Sequence, residues 1–155
     1  MKIEIEIANT IQVLNNLLNI TIGRVEGYRR AAEDESDGDL KRAYKGIVDD
    51  GSKDAAELAH EITKSGGIAD PGPTQADTDT YSAWMEFKSI FTGKDRQSVL
   101  SSGKYGQEAS EQAFWAVIDC KEISADIRQL VRNQRTGLTT SYALIKSYQS
   151  AQDLD

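Results

Sequence analysis

Along most of this 155-residue chain, apolar residues return at the spacing of an α-helix. From about Thr10, the positions Ile11, Leu14, Leu18, Ile22, Val25, Arg29 and Ala32 mark one face of a first helix, and the polar run 34–39 with Gly38 closes it. A second stripe, Leu40, Tyr44, Ile47, Gly51, Ala55, Leu58 and Ile62, stops at Ser65-Gly66-Gly67, where glycine can take the left-handed conformation that ends a helix. Residues 81–91, with Trp84, Phe87, Ile90 and Phe91, predict a short amphipathic helix, separated by Thr92-Gly93-Lys94-Asp95 from a longer one that runs to about Asp119. The inward row of that third long helix reads Val99, Gly103, Gly106, Ser110, Ala113 and Val117. A last helix begins at Ile123 or Ser124 and carries Ile127, Leu130, Gln134, Leu138, Ser141, Ile145 and Tyr148.

Two stretches break the helical period. Ile3, Ile5 and Ile7 alternate with Glu4 and Glu6, a strand-like pattern with no second alternating run to pair with, so residues 1–9 are expected to be an extended or frayed lead-in. Residues 68–79 hold both prolines, Pro71 and Pro73, among Gly, Thr and Asp, which predicts extended, solvated backbone. Short connections make the first and second long helices, and the third and fourth, antiparallel neighbours, while a crossover over 66–80 carries the chain along the bundle. The expected fold is one all-α domain over 1–155, a ferritin-like antiparallel four-helix bundle with a helix 2 to helix 3 crossover and an extra short helix. Tyr28 and Phe114, Leu40 and Ile127, and Leu58 and Ile145 stand nearly the same distance apart in sequence, as a duplication of a helix pair would leave them.

A chain of this length buries roughly 70% of its unfolded surface without covalent staples. Cys120 is the only cysteine, so no intrachain disulfide forms and a reducing, cytoplasmic setting is expected. The net charge of −7, with no compensating Lys/Arg run, opposes binding to nucleic acid. The N-terminal segment reads as no signal peptide, and no segment approaches the roughly 20 apolar residues that span a bilayer.

Gly27-Tyr28 followed by Ala31-Ala32-Glu33, then Leu40-Lys41, Ser65-Gly66-Gly67, Trp84 with Lys88, Thr92-Gly93 with Asp95, and Val99-Leu100 form an ordered set of short motifs. In this set, over roughly residues 10–150, the chain resembles an uncharacterised bacterial domain-of-unknown-function group within the ferritin-like superfamily. The resemblance implies a four-helix bundle with a crossover after the second helix and no settled activity. Members of the group carry Gly-Glu early in the third helix; Gly106-Gln107 stands there in this chain.

Di-iron sites in such bundles take a Glu from each of two helices and a Glu-x-x-His from each of the other two, all pointing inward. Glu57-Leu58-Ala59-His60 has the spacing, but with the core stripe centred near Leu58, Gly51 and Ile62, Glu57 points about 120° and His60 about 180° away from it. Glu26, Asp54, Glu57 and His60 are therefore flanking candidates for a degenerate iron or manganese site, and no catalytic residue is assigned. Gly103, Gly106, Gln134 and Ser141 instead put small and polar groups at the waist of the bundle. They predict a polar layer that fixes helix register, or a pocket for a small ligand, with Ser141, Thr21 or a trapped water meeting the Gln134 amide.

A second apolar row on the first helix, Val13, Leu17 and Ile20, needs a cover: the short helix with Trp84, Phe87 and Phe91, or a twofold copy of helix one in a homodimer. No phosphate loop, Cys-x-x-Cys or nucleophile elbow is present. The expectation is a non-enzymatic, cytoplasmic protein with an interaction or stress-associated role and no cofactor, bound to neither membrane nor nucleic acid. The alternative is an iron- or manganese-binding ferritin-like protein.

Overall fold

The apolar stripes fold as four helices, α1 (Lys2–Asp34), α2 (Gly38–Lys64), α3 (Arg96–Ile118) and α4 (Ala125–Asp153). The computed structural model describes residues 2–69 and 96–153, the stretch 96–106 by its backbone alone, and contains no strand among them. None of the described helices is long and apolar enough to cross a membrane.

α1 packs on α2 and α3, and α4 packs on the same two, so α1 stands opposite α4 and α2 opposite α3. Lys64 and Ser65 at the end of α2, and Glu122 and Ser124 just past α3, line one cleft together with Glu6 and Thr10 near the start of α1. α2 and α3 therefore run in one direction, α1 and α4 in the other.

Local chemistry sets the helix ends. The Asp37 carboxylate accepts from the Leu40 amide at 2.9 Å and caps α2. At its other end Gly67 N–H reaches the Ile62 carbonyl at 2.9 Å and Gly66 N–H the Thr63 carbonyl at 3.0 Å, a Schellman closure that needs the positive φ of 92° at Gly66. Arg128 donates to the Ile118 and Cys120 carbonyls, both at 3.0 Å, and so satisfies the C-terminal end of α3 from α4.

The α2 stripe is buried as its spacing predicts: Leu40, Tyr44, Ile47, Gly51, Leu58 and Ile62. Three expectations are corrected. Residues 2–9 are helical, not an extended lead-in. With no partner strand for the Ile/Glu alternation among the described residues, the helix satisfies the backbone, and Ile5 and Ile7 are left exposed. On α1 Arg29 is exposed and Arg24 is buried, and on α4 Val131 and Tyr142 are buried where Leu130 and Ser141 are only half-buried. Both inward faces thus sit slightly rotated from the stripes drawn in sequence.

Leu17 and Ile20 are buried within the single chain and Val13 packs half-buried against the core, so the row that motivated a homodimer is not an open surface. The short helix expected over 81–91 and most of the 66–80 crossover lie outside the described residues.

Val25 of α1 packs directly on Gly51 of α2: a Cβ placed there would lie 2.7 Å from Val25 Cγ2. The β-branched Val25 cannot swing clear, so overpacking of about 1–3 kcal/mol exceeds the gain of about 1 kcal/mol that alanine brings to a helix interior. Gly51→Ala is expected to lower the melting temperature. Gly46→Ala, at an exposed position with nothing within 4 Å of the new methyl, is expected to raise it, and thermal unfolding followed by circular dichroism reads both signs.

Candidate functional site

Each helix sends one polar residue to the middle of the bundle: Arg24 from α1, Asp54 from α2, Ser110 from α3 and Gln134 from α4. Arg24 and Ser110 are each 1% exposed and Gln134 is 6% exposed. Arg24 Nη1 donates to Ser110 Oγ at 3.4 Å, and Nη2 stands 3.9 Å from the Asp54 carboxylate. Gln134 Nε2 donates to the main-chain carbonyl of Asp54 at 3.3 Å. The layer therefore ties α1 to α2 and α3, and α2 to α4.

It is incompletely satisfied. Arg24 Nε and Gln134 Oε1 are buried and have no hydrogen-bond partner. Both residues line a cavity of about 80 Å³ with Gly51, Asp54, Gly137 and Ser141. The Nε and Nη2 atoms of Arg24 lie 4.0 and 3.9 Å from where a Gly51 Cβ would stand, so the side-on edge of the guanidinium faces the space that Gly51 leaves empty.

Next to this layer the core is aromatic. Tyr28 stacks at a tilt on Tyr44 with ring centroids 5.6 Å apart, and on Tyr142 at 6.3 Å. Burial drives the hydroxyls of Tyr28 and Tyr142 above the ordinary phenol range, so both remain neutral donors. The Tyr142 hydroxyl stands beside Ser110 and Tyr28 yet completes no hydrogen bond of its own. Asp54 is the unusual acid: burial raises its carboxyl to about 6, against the pull of Arg24 and with a push from Glu57 and Asp50.

The sequence-predicted residues fall as follows. Gln134 and Ser141 line the cavity, while Gly103 and Gly106 lie on α3 where side-chain surroundings are outside the described residues. The expected partners of the Gln134 amide are corrected: Ser141 donates to the Gly137 carbonyl at 3.1 Å and Thr21 to the Leu17 carbonyl at 2.8 Å. Helical hydroxyls readily bond the carbonyl four residues back, which leaves Gln134 to find the Asp54 carbonyl across the bundle. Glu26 and Glu57 are half-buried and His60 is exposed. Among the described residues no three His, Cys, Asp or Glu side chains come together as metal ligands. Cys120 donates to Glu122 Oε2 at 3.2 Å, and burial with that carboxylate pushes its thiol above the usual range, which disfavours the thiolate.

Sequence reasoning missed Arg24. The signal was present: Leu14, Leu17, Thr21, Arg24, Tyr28 and Ala31 recur at alternating spacings of three and four, and all six are buried.

Fold and site define a class, an all-α helical bundle with an arginine-centred polar waist. A family model described as "Domain of unknown function (DUF2383)" matches residues 9–120, and the chain belongs to that family. The matched span includes Arg24, Asp54 and Ser110 and ends before α4, which supplies Gln134. No curated protein and no solved structure matches the chain.

The raised Asp54 pKa has a definite sign. An acid that holds its proton more tightly when folded favours the native state fully below its ordinary value of 3.8, and that contribution is lost as pH rises through about 6. Asp54→Asn is expected to remove it: the stability of the parent relative to the variant falls by about 1–3 kcal/mol between pH 4 and pH 7. Chemical denaturation across that range measures the difference.

Proposed function

We propose that this chain is a ferritin-like four-helix bundle that acts by binding rather than by catalysis, in an interaction or stress-associated role. Arg24 carries the reading. A guanidinium that is 1% exposed occupies the waist, where di-iron bundles converge carboxylates, and its charge repels the cations such a site must hold.

Topology supports the ferritin-like part. α2 and α3 run the same way, a relation shared by ferritin-like bundles with a crossover after the second helix. The lone cysteine, held as a raised thiol, fits a reducing cytoplasmic setting.

The waist then serves as a structural key and not as a reaction centre. Pairing and hydrogen bonding offset part of the cost of burying the guanidinium, and only one register of the helices brings Asp54 and Ser110 to it. Arg24→Ala removes those bonds and opens a void, and it is expected to cost about 3 kcal/mol in thermal or denaturant unfolding. Arg24→Met, which fills the space without a charge, is expected to stay within about 1 kcal/mol of the parent.

Elemental analysis of protein purified without a histidine tag, followed by an iron-oxidation assay, tests the non-catalytic reading. No stoichiometric iron or manganese and no oxidation are expected. Stoichiometric metal, lost in Asp54→Asn or His60→Ala, would overturn the reading in favour of a degenerate site built from Glu26, Asp54, Glu57 and His60.

A further inference from the structure

Arg24 and Gln134 both line the waist cavity, and each carries a buried polar atom without a partner, a donor on one and an acceptor on the other. On one side stands a donor edge, Arg24 Nε–H with no partner and Nη2 with only a carboxylate at 3.9 Å. On the other stand acceptors: Gln134 Oε1, which has no partner, and the Ser141 hydroxyl oxygen, whose proton is already given to the Gly137 carbonyl. Arg24 and Gln134 are both more than nine-tenths buried. A buried donor and a buried acceptor left open on two residues of one cavity lining are unusual, because each costs free energy unless something bonds it.

The volume limits what that something is. About 80 Å³ has room for two or three waters, or for one molecule of about four non-hydrogen atoms. Chemistry narrows it further. The edge of a guanidinium offers two parallel N–H donors to a single oxygen or to a pair of oxygens. The facing acceptors call for N–H or O–H groups on the same ligand. A carboxylate meets the first requirement and fails the second, and it would add negative charge to a cavity already lined by Asp50 and Asp54 on a chain of net charge −7. A neutral carbonyl flanked by amino groups meets both: its oxygen accepts from Arg24, and its N–H groups donate to Gln134 and to the Asp54 carboxylate.

We infer that the waist cavity is a binding site for a small neutral amide or urea-like molecule, held between the Nε/Nη2 edge of Arg24 and the Oε1 of Gln134. Gly51 makes the site possible, because any side chain there would strike Val25 and stand over the guanidinium edge. The binding reading above and this assignment concern the same waist, but their tests are separate: metal content bears on the first and ligand titration on the second.

The experiment follows the Arg24 Nε–H resonance by NMR in the intact protein while urea, formamide and acetate are each added at concentrations far below those that denature. Urea and formamide are expected to move that resonance saturably, with dissociation constants around the millimolar range that the small size of such ligands sets. Acetate is expected to leave it unmoved. Gln134→Met, which keeps the volume and removes the acceptor, is expected to weaken urea binding at least tenfold while the rest of the spectrum stays dispersed. Arg24→Lys, which keeps the charge and loses the planar edge, is expected to abolish urea binding as read on the backbone amide resonances of Gly51 and Gly137, since the Nε–H reporter is lost with the arginine. The assignment is overturned if neither urea nor formamide gives a saturable shift, which would leave waters as the occupants. It is overturned equally if Gln134→Met binds as tightly as the parent, or if acetate binds more tightly than urea.

Discussion

One buried guanidinium organises this bundle. Taking an arginine out of water is among the costliest steps a core can make, and it is tolerated only where charge and hydrogen-bond partners are brought to it. Arg24 sits on α1, and its partners come from two other helices, Asp54 on α2 and Ser110 on α3. The helices must therefore meet in a register that places those residues at its level. Gly51 follows from the same requirement, since only a residue without a side chain leaves room for Val25 and the guanidinium edge between α1 and α2.

The remainder of the core is arranged around that layer. Next to it lie the stacked rings of Tyr28, Tyr44 and Tyr142, which supply large apolar area and keep their hydroxyls protonated. Leu14, Leu17, Leu58 and Ile62 form a dry apolar section. A polar waist between apolar sections trades some stability for a defined alignment, because sliding a helix by one turn would strand Arg24 among aliphatic groups. The surface adds a second tie between α3 and α4: Arg135 pairs with Glu111 at 3.0 Å and lies 5.0 Å from the Trp115 ring centre.

Chemically, this waist inverts the logic of a di-iron centre. A dinuclear metal site concentrates negative charge and imidazole so that cations replace water. Here the fixed charge is positive, the carboxylate beside it is pushed toward its neutral form, and the open bonds on the cavity lining include a donor on Arg24 and an acceptor on Gln134. Such an arrangement suits a neutral polar guest or ordered water.

Much of the fold was legible in the sequence, because helix periodicity is a local property of the chain. The α2 stripe and its Gly66 stop were written in residue order, the Ser110, Ala113 and Val117 positions of the α3 row are buried as their spacing predicts, and the buried faces of α1 and α4 differ from their predicted rows by about one position. Gln134 was legible as a buried polar residue for the same reason. Arg24 was not, because the α1 stripe was traced through Ile11, Leu18 and Ile22, and a charged residue on the parallel heptad row reads as solvated until its neighbours are known. Residues 2–9 were misread because an alternating run looks the same whether or not a strand exists to pair with it. The sequence by itself determined that the chain forms long amphipathic helices and where the second of them stops. Which polar groups meet across them, with Gln134 on a carbonyl of α2 and Arg24 between Asp54 and Ser110, was decided only by tertiary packing, since those partners lie 30 to 86 residues apart and no local rule connects them.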